Sequence, residues 1–123
     1  MAENLKVTHY RDGSEIPNIT NNGDWGGLSS GAYGDYDNNP TYSETYGRLY
    51  NWYTVDDDRG VCPEGYHIPS DAEYTVLTDY LGGTSVAGGK MKEAGTEHWN
   101  SPNAGATNES GFPALPAGYR VFY

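Results

Sequence analysis

The clearest apolar-polar pattern near the start of the chain is Leu5-Lys6-Val7-Thr8-His9-Tyr10, which alternates with the period of a strand and runs into the turn-forming Asp12-Gly13-Ser14. A hairpin is expected there. From Asn21 to Thr41 the chain is dominated by Asn, Gly, Asp, Ser and Tyr, and only Trp25, Leu28, Tyr33 and Tyr36 break the polar run. This reads as a long ordered loop anchored by aromatics. Tyr46, Leu49, Tyr50 and Tyr53 then recur at helical spacing, with Leu49 and Trp52 as a second pair, so a short helix is expected within Tyr42 to Val55 although Gly47 weakens it. Ser70-Asp71-Ala72-Glu73 is a capping box: the Ser70 hydroxyl can accept from the amide of Glu73 while the Glu73 carboxylate reaches back to the Ser70 amide. Tyr74, Leu77 and Leu81 share one face beyond it, and Gly82-Gly83 supplies the stop. The pattern predicts a helix over 70–81. After it come a glycine-rich stretch, an Asn/Gly loop from Asn100 to Gly111, and a strand beginning at Tyr119 to Tyr123.

Composition narrows this picture. Of the 123 residues only 36% are apolar, yet 12 are Tyr, 3 Trp and 2 Phe, so the core has to use amphipathic rings in place of aliphatic side chains. With 17 Gly and 7 Pro the elements are expected to be short and the turns many. A net charge of −10 and the lack of a basic cluster argue against nucleic acid as a partner, since phosphate binding relies on clustered Lys and Arg. No apolar run approaches the roughly 18 residues that a membrane-spanning helix needs. Met1-Ala2-Glu3-Asn4-Leu5-Lys6 lacks the form of a signal peptide, so an export signal would lie outside this sequence. The one cysteine, Cys62, is read as a buried thiol, an intermolecular link or half of a bridge.

Several motifs bear on chemistry. Gly27-Leu28-Ser29-Ser30-Gly31 has the glycine spacing of a nucleophile elbow, but its flanks supply neither the strand nor the helix that would present Ser29, and a turn is the expected reading. Gly83-Thr84-Ser85-Val86-Ala87-Gly88-Gly89-Lys90 superficially resembles a phosphate loop, yet its first glycine is one position early for the Gly89-Lys90 pair and Met91 stands where a hydroxyl should follow. His9, His67 and His98 lack the spacing of a helical zinc pair and read as surface or hydrogen-bonding side chains. Asp35, Asp37 and Asn39 place oxygens at alternate positions, as the first half of a calcium loop does, and form a candidate Ca2+ site. Pro40 stands where that loop needs glycine, which leaves an Asx-rich turn as the alternative. Asp56-Asp57-Asp58 reads as a solvated turn ending the preceding helix, with Arg59 offsetting its charge. Asn18-Ile19-Thr20 and Asn108-Glu109-Ser110 fit the glycosylation acceptor pattern. Tyr and Trp side chains among Asn, Asp and Gly suit recognition of carbohydrate or protein, because rings offer stacking area and amides supply directional bonds.

Four blocks then carry a resemblance: Met1-Ala2-Glu3-Asn4-Leu5, Tyr46-Gly47-Arg48-Leu49-Tyr50-Asn51-Trp52-Tyr53, Cys62-Pro63-Glu64-Gly65-Tyr66-His67-Ile68-Pro69-Ser70-Asp71-Ala72-Glu73-Tyr74, and Gly111-Phe112-Pro113-Ala114-Leu115-Pro116-Ala117-Gly118-Tyr119-Arg120. In this order they resemble the Fibrobacter succinogenes major paralogous domain of bacterial secreted and surface proteins. The resemblance implies a C-type-lectin-like fold, shared with formylglycine-generating enzymes and with variable proteins of diversity-generating retroelements. The family pattern starts with a Trp before Met1 and runs past Arg120 to a late cysteine. It therefore implies that Cys62 is the near half of a bridge and that the sequence is incomplete at both ends. The oxidase branch of that superfamily is disfavoured, because it resembles an enzyme using a cysteine pair and copper, whereas this chain has Cys62 alone.

Together these readings give one mixed α+β domain over residues 1–123, C-type-lectin-like, with short twisted antiparallel strands, one or two helices and long ordered loops. The expected function is non-catalytic recognition or adhesion at a bacterial cell exterior, with a glycan or protein ligand held by Trp99, Tyr119, Arg120 and Tyr123. The alternative is a structural subunit that assembles into a surface layer or fibre by strand addition at exposed sheet edges.

Overall fold

The computed structural model describes residues 3–121, which form two compact units: 3–68 with 117–121, and 69–116. Helices and a short antiparallel sheet give the mixed α+β architecture expected from the sequence.

In the first unit the chain reverses at residues 10–14 as the turn residues demand, with Tyr10 N–H donating to Ser14 O at 2.9 Å and Ile16 N–H to Thr8 O at 2.9 Å. The ladder stops at a single antiparallel bridge, His9 with Glu15. The expected strand over Leu5–Tyr10 does not form, because other groups take its carbonyls. Arg48 N–H donates to Leu5 O, Arg48 Nε to Lys6 O, and the Tyr50 hydroxyl to Val7 O. The loop expected from Asn21 to Thr41 contains regular structure instead. Helix α1 is Asn22–Gly27, begun by Asn21, whose side chain accepts from Asp24 N–H. Strand β1 is Tyr33–Gly34, and a 3-10 turn spans Tyr36–Asn38. Helix α2 is Pro40–Tyr46, with Asn39 as its N-cap and Pro40 at its first position.

The helix expected within Tyr42 to Val55 is broken in two. Gly47 ends α2 at φ 77°, where a Cβ would lie 2.6 Å from Asn4 Cβ and 2.8 Å from Leu5 O. Strand β2, Leu49–Tyr50, follows and pairs antiparallel with β1 in the register Tyr33 to Tyr50 and Gly34 to Leu49. Helix α3, Trp52–Val55, is then capped by Asn51. The core beneath the sheet is Tyr10, Ile16, Val61 and Cys62, flanked by Leu5, Val7, Tyr33 and Tyr50. Gly31, the last glycine of the elbow-like motif, has a packing role: a Cβ there would meet Tyr10 Oη at 2.0 Å and Thr54 Cα at 3.3 Å. The Asp56–Asp58 segment is a turn, as expected, with Arg59 Nη2 2.7 Å from Asp57 Oδ2.

In the second unit, helix α4 is Asp71–Tyr80, with the complete capping box between Ser70 and Glu73. Helix α5, Thr84–Met91, occupies the glycine-rich stretch that no periodicity announced. Its glycines admit a close neighbour, since a Cβ on Gly89 would lie 2.3 Å from Gly105 O. The 100–111 loop therefore lies directly on the helix, with Thr107 N–H donating to Gly89 O and Ser110 N–H to Lys90 O. Residues 119–121 carry no strand, and Phe122 and Tyr123 lie outside the described residues.

Candidate functional site

A cleft of about 230 Å3 opens in the first unit, between the 3-10 turn, β2, the start of α1 and the 117–121 segment. Its lining is Asn22, Asp35, Tyr36, Asp37, Asn38, Leu49, Tyr119 and Arg120. Asp35 and Asp37 of the candidate calcium oxygens thus meet Tyr119 and Arg120 of the candidate recognition residues at one place.

The 117–121 segment reaches the cleft by a glycine and is held there by an arginine. Gly118 at φ 73° lies so close to the Tyr36 ring that a Cβ would stand 2.6 Å from Tyr36 Cε2. Two residues on, Arg120 Nη1 donates to Ile19 O, and Nη2 donates to Thr20 O at 3.0 Å and to Asn22 Oδ1 at 2.9 Å. The guanidinium also sits 4.4 Å from the Trp25 ring centroid. Gly34 leaves room for it, as a Cβ there would be 2.5 Å from Arg120 Nη1. Partial burial pushes the Arg120 pKa below the ordinary guanidinium value. Arg120 is a clamp on the tail, and Tyr119, 77% exposed, is the side chain that the clamp presents.

Asp35 is 6% exposed and its oxygens are committed. Ser43 Oγ and Arg48 Nη1 both donate to Oδ1, and Asn18 Nδ2 donates to Oδ2 at 3.3 Å. Arg48 is itself oriented by Lys6 O and by the Tyr33 ring 4.7 Å away. The pair neutralises a buried charge, and a cation at Asp35 would have to displace Arg48. Asn39 is similarly engaged: its side chain accepts from Thr41 N–H at 3.0 Å to start α2. Of the three candidate calcium ligands only the exposed Asp37 carboxylate takes no such bond among the described residues.

Asp37 and Asn38 both have φ 53°, a left-handed pair that Asp and Asn tolerate better than other non-glycine residues. Asn38 Nδ2 donates to Thr20 O at 3.1 Å, which fixes the turn against the strand-like 18–20 segment. Beside the cleft three tyrosines run in series: Tyr36 lies edge-on to Tyr42 with centroids 5.8 Å apart, and Tyr42 is 6.4 Å from Tyr46. Tyr36 and Tyr42 are exposed. Their spacing was hidden in the sequence because a turn and a helix bring them together. The one available signal was the density of Tyr among Asn and Asp from 33 to 46.

Trp99 belongs to the second unit, where its Nε1 donates to Ala114 O at 2.9 Å and Lys92 Nζ covers its ring at 4.5 Å. It braces a loop there. Tyr123 lies outside the described residues.

The sequence profile of the Fibrobacter succinogenes major domain (Fib_succ_major) matches residues 1–123. The chain belongs to this family. No curated protein and no solved structure matches this Fibrobacter succinogenes major domain. No helix among its described residues is long and apolar enough to cross a membrane.

Proposed function

We propose that this domain is a non-catalytic recognition module of a secreted or surface-attached bacterial protein, built on a C-type-lectin-like plan, and that the cleft beside Tyr36 is where it holds a glycan. The observation that carries the reading is the composition of that cleft. Asp37, Asn22 and Asn38 offer directional acceptors and donors, while exposed Tyr119 and Tyr36 offer ring faces at its rim. A polyhydroxylated ring needs both kinds of contact at once, and a site with few, fixed polar groups supplies orientation as well as affinity. The Arg120 clamp and the Asp35–Arg48 pair hold the walls before a ligand arrives, which lowers the ordering cost of binding. A protein ligand would use the same exposed rings without needing the cleft.

A glycan array followed by calorimetry on the strongest hit tests this. Tyr119→Ala and Asp37→Ala, both at exposed positions, are each expected to weaken binding by about tenfold, roughly 1.4 kcal/mol, with an unchanged fold. Silence across the array, or full binding by both variants, overturns the glycan reading.

A further inference from the structure

The second unit carries a cluster that the recognition reading does not use. Residues 93–99 leave the end of α5 and are tied down at both ends: Glu93 N–H donates to Ala114 O at 3.1 Å, and Trp99 Nε1 donates to the same carbonyl at 2.9 Å. The middle is held by Asn103, whose Nδ2 donates to Glu93 O at 2.9 Å and to Gly95 O at 2.7 Å. Gly95, at φ 88°, lets the chain double back. The result sets His98 Nδ1 2.9 and 3.0 Å from the two carboxylate oxygens of Glu93. Glu97 joins them, so that one ligand atom from each of Glu93, Glu97 and His98 lies within 4.8 Å of the others.

We propose that Glu93, Glu97 and His98 form a site for a divalent first-row transition ion, Zn2+ being the type case. Two carboxylates supply charge and one imidazole supplies selectivity: an imidazole nitrogen suits zinc, nickel and iron, whereas calcium and magnesium prefer oxygen throughout. Zinc bonds of about 2.0–2.2 Å in tetrahedral geometry place donors about 3.3 Å apart. Glu93 and His98 already stand near that separation, and Glu97, on the exposed side, has the rotamer freedom to close the remaining gap. The ion takes the place of the contact between Nδ1 and the Glu93 carboxylate. The Asn103 bonds to the backbone of 93 and 95 and the Trp99 side-chain bond to Ala114 O fix the loop beforehand, so little ordering is left for the ion to impose. Asn103 Oδ1, on the side chain that ties residues 93 and 95, is buried without a hydrogen-bond partner among the described residues. The sequence hid this site because Glu93 and Glu97, though four residues apart, do not lie on a helix; a bent segment assembles them with His98.

Calorimetry of the full chain with Zn2+, and in parallel with Ca2+ and Mg2+, tests it. One equivalent of Zn2+ is expected to bind, with Ca2+ and Mg2+ weaker by tenfold or more. His98→Ala and Glu93→Gln should each lower Zn2+ affinity at least tenfold, while His9→Ala and His67→Ala leave it unchanged. Should either of the first two variants fail to fold by circular dichroism, Glu97→Gln at an exposed position gives the decisive comparison, with the same expected loss. Absence of Zn2+ binding, binding indifferent to Glu97 and His98, or loss of binding in His9→Ala or His67→Ala overturns the site and leaves a hydrogen-bonded loop staple. None of these outcomes bears on the glycan cleft.

Discussion

Asp35 and Arg48 show how a charged pair can be a structural element of this small core. The carboxylate receives donors from Ser43, Arg48 and Asn18, and removing it leaves a largely buried guanidinium without its counter-charge. Asp35→Ala is therefore expected to cost about 3–5 kcal/mol, read from urea denaturation. Because Arg48 already fills the cation's place, added calcium should leave the wild-type melting temperature unchanged, and a rise of several degrees would contradict that arrangement. Asp57 is held down by a different arginine: hydrogen bonds from the Arg59 side chain and backbone lower its pKa to about 2. A carboxyl depressed in the folded state contributes stability above its unfolded pKa and loses it as pH falls from about 4 through about 2. Arg59→Gln should return the Asp57 titration, followed by carbon NMR, towards the ordinary aspartate value. Cys62 sits in the core beside Tyr10, Ile16 and Val61, and burial raises its thiol pKa. It is expected to react with a thiol reagent only as fast as the protein opens, with urea restoring rapid labelling.

At the scale of elements, α4 is the piece whose instructions are wholly local. Ser70 and Glu73 exchange their bonds within one turn, and Ser70→Ala is expected to destabilise by about 1 kcal/mol in chemical denaturation. That locality is why the sequence announced this helix within a residue at each end, Asp71–Tyr80 against 70–81. The 42–55 segment was illegible for the opposite reason. Its tyrosine spacing is helical, but Gly47 packs against Asn4 and Leu5, more than forty residues away in sequence, and this contact converts one helix into a helix, a strand and a short helix. Asn21 and Asn39 each cap a helix inside the stretch whose composition suggested a loop, and Asn51 caps one inside the segment whose spacing suggested a single helix. The same propensity that makes Asn a turn residue makes it a cap, and composition does not separate the two. The candidate site followed the same rule. Tyr119 and Arg120 were legible as residues, whereas their meeting with Asn22 and Asp37 depends on Gly118 and on contacts about a hundred residues apart.

For the whole molecule the notable balance is a net charge of −10 against many exposed rings, among them Trp52, Tyr66, Tyr80 and Tyr119. Mutual repulsion should keep the chain dispersed at low ionic strength, with association growing as salt shortens the screening length below about 10 Å. Light scattering across a salt series checks this. The regular strands, two residues each, offer few backbone groups for strand addition, so any association is expected to be graded and reversible instead of fibrous.

The Arg120 clasp also sets a timetable. Its partners Ile19 and Thr20 are made early and wait about a hundred residues for it, with the whole of 69–116 synthesised in between. The cleft is thus completed on the ribosome only after Arg120 has been made. A nascent chain arrested before Gly118 would hold β1 and β2 without the Arg120 clasp, so one wall of the cleft would be missing until residues 118–120 had been made.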